Sequence, residues 1–337
     1  GIDIGTTGTK AVLLEIGRGV VATASASTAL HAEQTGFAEA EPSEWISNVH
    51  RTVRELLSTS KCDPNAVVAI STTGMVPAVV LVDADGTPQH RALLQNDARA
   101  VGEIAELTEE LQAVDVVSDT GSPLSQQSVS PTLRWFQRNL PTTWSTTRRV
   151  VGSYDWVLMA LGGRPHIERN WALESGLFFI DGRIHSTILG AVDVEASILP
   201  EVVDAGETVG GLNKENAQAM GLPEGTPLIV GGADHVLSAY SAGVARDGDW
   251  LVKLGGAGDI LVASSVPLVD SRIYLDAHPI QGIWLPNGCM ATSGSLIRWF
   301  QALCGIEDLA EMDEKAAHSL PAEILCLPYF LGEKSPL

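Results

Sequence analysis

Two carboxylates set beside glycine turns carry the chemistry open to this sequence. Asp234 follows the apolar run Leu228-Ile229-Val230 and the pair Gly231-Gly232, and it precedes small residues, among them Ala239, Ser241, Ala242 and Gly243. The run predicts a buried strand that the glycines break, and the small residues predict a helix. A carboxylate at that junction sits at the mouth of a parallel sheet, where α/β folds place their ligands. Capping of the helix is the competing account of the same residue. Asp3 lies beside Gly5-Thr6-Thr7-Gly8-Thr9-Lys10. A turn of Gly and Thr offers N–H groups and hydroxyls to a phosphate with little bulk in the way. Lys10 adds charge, and Asp3 could hold a hydrated Mg2+. An ordinary glycine-rich hairpin is the plainer alternative.

The hairpin recurs. Leu254-Gly255-Gly256-Ala257-Gly258 matches Ile4-Gly5-Thr6-Thr7-Gly8 in pattern, with apolar segments on both sides. Strand, glycine turn and strand therefore occur twice, each time opening a block of α/β sequence, as an internal repeat would. Two such hairpins facing each other could grip a polyphosphate from both sides; two unrelated hairpins would give the same short match.

The intervening elements must position these residues. Pro42 opens a helix with Ile46, Val49, Val53, Leu56 and Leu57 at helical spacing. Residues 66–71, 78–82 and 88–94 read as strands, and Gln95-Asn96-Asp97-Ala98-Arg99 follows as a polar segment. It could bind hydroxyls or be a solvated loop into a helix near 100–111. A helix follows Ser130-Pro131, a strand spans 149–152, and a helix from Tyr154 stops at Gly162-Gly163. Residues 200–221 predict a loop and a short helix. Ile283-Trp284-Leu285 predicts a strand, Asn287-Gly288 a tight hairpin turn, and Ser293-Gly294 the start of a helix.

The 337 residues give room for two domains with proper cores. With 41 acidic against 21 basic residues the net charge is −20, which argues against nucleic acid or an anionic membrane as partner. An anionic substrate must then be met locally, by a turn, a helix N-terminus, a lysine or a metal ion. The four cysteines lie far apart without metal-ligand spacing, which predicts reduced thiols in a cytoplasmic protein. The first residues already read as strand, and Pro328–Leu337 closes no element, so a longer parent protein is expected.

Taken together, Asp3-Ile4-Gly5-Thr6-Thr7, Asn96-Asp97-Ala98-Arg99, Gly231-Gly232-Ala233-Asp234, Gly255-Gly256-Ala257-Gly258 and Pro328-Tyr329-Phe330-Leu331-Gly332-Glu333 occur in the order of an FGGY-family carbohydrate kinase. The chain resembles that family over essentially its whole length, closest in spacing to the xylulose kinases. The resemblance implies an α/β fold of the actin, hexokinase and Hsp70 type. Two duplicated ribonuclease-H-like domains flank a cleft: a sugar-binding domain over 1–229, and the first part of an incomplete nucleotide-binding domain over 230–337. It implies ATP-dependent phosphorylation of a sugar or polyol hydroxyl, with ATP and Mg2+ as cofactors, a ketopentose such as xylulose as acceptor, and a possible homodimer. Asp234 would be the catalytic base and Asp3 the Mg2+ ligand. Gly5, Thr6, Thr7 and Lys10 would form one phosphate loop and Gly255, Gly256, Ala257 and Gly258 the other. Val76, Pro77, Asn96, Asp97 and His235 would lie around the sugar. Four sites depart from the family pattern: Val76-Pro77 where Met-His is usual, Gln95 for a Trp, Thr132 for a lysine, and Gly256-Ala257 where hydroxyl residues are usual. A sugar-binding or regulatory member with impaired turnover is the alternative those departures suggest.

Overall fold

The structure, a computed structural model, describes residues 1–255, 257–290, 292–319, 321, 323–327 and 329. Strand β1 (Ile2–Ile4) buries Ile2 and Ile4 and leaves Asp3 on the opposite face, by the period-2 alternation of a strand. It turns through Gly5-Thr6-Thr7 into β2 (Gly8–Glu15), antiparallel with Asp3 opposite Lys10, and β2 pairs with β3 (Gly19–Ser27). Helix α1 (Pro42–Ser60) begins on Pro42, buries Trp45, Val49, Val53 and Leu56 on one face, and stops at left-handed Lys61.

Strand β4 (Ile70–Gly74) runs parallel to β1. It starts later than the expected residue 66, because Asp63 caps a 3-10 turn at Pro64–Ala66 and Val68 stays exposed. Strand 88–94 shrinks to Ala92–Leu93. Helix α2 (Ser153–Leu161) packs under β4 and ends at Gly162, whose φ is +125°. Helix α3 (Arg169–Glu174) follows. The stretch 200–221 holds more than a loop and a helix: β5 (Thr208–Gly211) forms a sheet edge there.

Strand β6 (Pro227–Ala233) corrects a second expectation. Gly231 and Gly232 do not break it; the register against β4 slips between Val230 and Gly232, and pairing continues to Ala233. Gly231 allows this because a Cβ there would lie 1.9 Å from the Thr72 carbonyl oxygen. The first sheet is mixed and six-stranded, in the order β5-β6-β4-β1-β2-β3. The division expected at 229/230 falls inside β6, and helix α4 (Asp234–Ser241) leads from it.

The second sheet is antiparallel in the order β7-β8-β10-β9: β7 (Trp250–Leu254), β8 (Gly258–Val262), β9 (Tyr274–Ala277) and β10 (Trp284–Met290). Asn287 and Gly288 sit mid-strand in β10, not in a turn. Asn287 pairs with Leu261 on one side and Tyr274 on the other, and two-sided ladder pairing overrides the dipeptide's turn preference. Helix α5 (Gly294–Cys304) follows. No described helix is long and apolar enough to cross a membrane.

Candidate active site

Asp234 is the first residue of α4, directly after the last residue of β6. Ala233 is the N-cap and no side chain caps the helix, so the capping account of Asp234 does not hold. The Asp234 side chain is 43% exposed and opens on a cavity of about 140 Å³. Val76, Gln95, His235 and Ala257 also line it, with Glu174 from α3, Lys253 from β7 and Asp276 from β9. A cavity this small suits a small polar molecule; drug-sized pockets run to roughly 300–1,000 Å³.

His235 stands at the electrostatic centre. Its Nε2 is 2.8 Å from Asp276 Oδ2 and 3.8 Å from Glu174 Oε1, while its Nδ1 is 3.6 Å from Asp234 Oδ1. Burial alone would lower the imidazole pKa, but Asp276, Asp234 and Glu174 outweigh it and hold the ring protonated, well above its ordinary value. Burial pushes Asp234 up, yet the His235 cation and Lys253 reverse that and leave its carboxyl below the usual range. Burial and the charge of Asp276 drive Glu174 well above its ordinary value. Asp276 is 1% exposed; its Oδ2 accepts from His235 and, at 2.5 Å, from Asn287 Nδ2, while its Oδ1 is buried without a partner. Lys253 Nζ is 3.3 Å from Asp259 Oδ2.

Asp3 is pushed up to about 6, first by burial and then by the charge of Asp234, with Lys10 and Lys253 opposing. Its Oδ1 is buried and has no hydrogen-bond partner. An orphaned carboxylate oxygen near a second carboxylate fits a hard divalent cation such as Mg2+. Each hairpin is closed by a glycine amide: Gly5 N–H donates to the Gly8 carbonyl three residues on (3.0 Å), and Gly255 N–H to the Ala257 carbonyl two residues on (2.9 Å). Those two amides are thus spent inside their turns, which leaves Thr6, Thr7 and Ala257 as donors toward a phosphate. Lys10 is exposed on β2. Gly258 pairs with Leu254 and Met290, and Gly256 lies outside the described residues, as does most of 328–333.

Residues 1–241 match the N-terminal domain of the FGGY family of carbohydrate kinases. The chain belongs to that family. The crystal structure of xylulose kinase from Rhodospirillum rubrum superposes with a TM-score of 0.91 at 40% identity, covering all of this chain and 70% of that one. The xylulose kinase of Staphylococcus epidermidis is 25% identical over 343 residues, all of this chain and 68% of the relative. A gluconate kinase structure from Lactobacillus acidophilus aligns with a TM-score of 0.92 at 21% identity, covering all of this chain and 69% of that one, which speaks to the fold alone. The protein is a sugar kinase with the actin- and hexokinase-like fold, and the reading as an impaired binding module is not favoured.

In this FGGY kinase the polar segment after Leu94 divides. Gln95 lines the cavity, and Asn96 is exposed. Asp97 turns to Arg99, with Nε to Oδ1 at 2.8 Å and Nη2 to Oδ2 at 2.7 Å, and also accepts Ala38 N–H at 2.7 Å. Arg99 in turn stacks 3.7 Å over the Phe37 ring and 4.9 Å from that of Trp135. Asp97 thus holds the segment in place. Val76 lines the cavity and is joined to Pro77 by a cis peptide; Pro77 is outside the lining.

The sequence reading missed Glu174, Lys253, Asp276 and Asn287. One signal was available: Glu174 and Asp276 are single acids inside short apolar runs, Ala172-Leu173-Glu174 and Tyr274-Leu275-Asp276-Ala277. A charge that a buried element carries without need is a pointer to a site.

Proposed function

We propose that this kinase transfers the γ-phosphoryl group of ATP to a hydroxyl of a small sugar or polyol, of the ketopentose class to which xylulose belongs. Such transfer asks the protein chiefly for positioning and charge neutralisation. The acceptor occupies the cavity below Asp234, which takes the hydroxyl proton as the oxygen attacks phosphorus in line. The observation that carries this role is the His235–Asp234 contact: a carboxylate held ionised by a neighbouring cation, exposed at the cavity mouth. Asp3 would hold Mg2+, which neutralises phosphate charge when bound. The N–H groups of Thr6, Thr7 and Ala257 orient phosphate oxygens from the two hairpins. Lys253, on the strand leading into the second hairpin, adds positive potential between acceptor and phosphates.

The test is coupled ADP release by the full-length protein with Mg2+, across ketopentoses, polyols and sugar acids, beside Asp234→Ala. Sugar-dependent ADP release that vanishes in the variant supports the assignment. Turnover that persists in Asp234→Ala would remove the base, and no sugar-stimulated turnover at all would remove the reading.

A further inference from the structure

The cavity that Asp234 lines is also lined by Glu174, Asp276 and Asn287, to which the phosphoryl step assigns no part. Asp276 is 1% exposed, so its carboxyl group lies in the interior. Burying a carboxylate is unfavourable unless its lone pairs are used. Oδ2 is served twice, by His235 and Asn287, whereas Oδ1 is buried without a partner in a residue that lines the cavity. One ligand atom from each of Glu174, His235 and Asp276 lies within 4.8 Å of the others, so the three side chains form one cluster. Among the described lining residues the two cations are committed, Lys253 to Asp259 and His235 to Asp276.

We infer that the Asp276 wall, with His235 and Asn287 fixing its orientation, selects a neutral polyhydroxyl acceptor by taking a hydrogen bond from an acceptor hydroxyl onto Oδ1, and rejects sugar acids. A hydroxyl supplies the missing donor. A carboxylate supplies none, and it would meet two buried acids with no free cation to answer it. The inference rests on the reading of this cavity as the acceptor site, and it concerns recognition, not the phosphoryl step.

The experiment is calorimetric binding of D-xylulose, xylitol and gluconate to the full-length protein, unaltered and as Asp276→Asn, beside the turnover assay. Asparagine keeps the shape but can present its NH2 where Oδ1 stood. Expected are at least tenfold tighter binding of the neutral acceptors than of gluconate by the unaltered protein, and at least tenfold weaker neutral binding with a narrowed preference in the variant. Xylulose and xylitol analogues lacking single hydroxyls test the unaltered chain directly, in case the variant does not fold: one of them must lose at least tenfold. Neutral binding no better than gluconate binding, unchanged affinity in a folded variant, or indifference to every deoxy position would overturn the inference. Selective binding without ADP release would instead count against the kinase assignment and leave this inference standing.

Discussion

His235 Nε2 lies 2.8 Å from Asp276 Oδ2, and the same ring turns its Nδ1 toward Asp234 at 3.6 Å. One imidazolium thus serves two carboxylates that line the same cavity. Residues adjacent in sequence, Asp234 and His235, are joined electrostatically to one 41 positions on in the second sheet.

Replacement of His235 by Asn removes the cation that holds Asp234 below the usual carboxylate range. Asp234 must be ionised to accept a proton, so the acid limb of the kcat/KM profile moves to higher pH, by about one unit for a lost neighbouring charge. The pH profile of the variant checks this; a limb that stays in place assigns it to another group.

Asp234→Ala loses turnover by about 10²–10⁴-fold, the usual worth of a general base. Sugar affinity changes little, because the Asp276 wall is intact. Calorimetry beside the coupled assay separates the two effects, and parallel loss of both would make Asp234 a binding residue.

Asp3 has a folded-state pKa raised to about 6 from an ordinary 3.8, so the native chain keeps a proton that the unfolded chain releases between those values. Its contribution is complete below about pH 4 and is lost as pH rises through about 6. Asp3→Asn cannot ionise, so at pH 7.5 without Mg2+ it should be more stable than the parent by about 2–3 kcal/mol, while turnover falls. Urea unfolding across pH 4–8 checks both the sign and the window.

Gly231→Ala places a methyl group 1.9 Å from the Thr72 carbonyl oxygen, in the strand pair that carries Asp234. The obstacle is the backbone of the neighbouring strand and cannot rotate away, so destabilisation of about 3 kcal/mol or more is expected. Denaturant midpoints measure it. A near-neutral variant would mean that β6 and β4 can separate at the bulge.

The first sheet and the two hairpins were legible because their signals are local: apolar runs, a Pro start to α1, and glycine turns at repeated spacing. Asp234 was legible for the same reason, as a carboxylate just past a strand. Gly231-Gly232 and Asn287-Gly288 were misread because both pairs carry breaking or turning propensities that ladder pairing overrides. Glu174 and Asp276 carried a local signal as single acids beside apolar residues, and Asn287 carried none; what they meet was out of reach, because only the packing of α3 against β9 and the pairing of β9 with β10 bring them to one wall.

Strand β9 belongs to the second sheet, but it is tied to the first half of the chain. The Ala277 N–H donates to Asn170 Oδ1 at 2.7 Å and the Leu275 N–H to Ser122 Oγ at 3.3 Å. Asp276 sits between those two anchors. The strand that carries Asp276 is therefore latched to the earlier part of the chain while it remains laddered into the second sheet, so loosening either latch would shift the sugar's seat without touching Asp234.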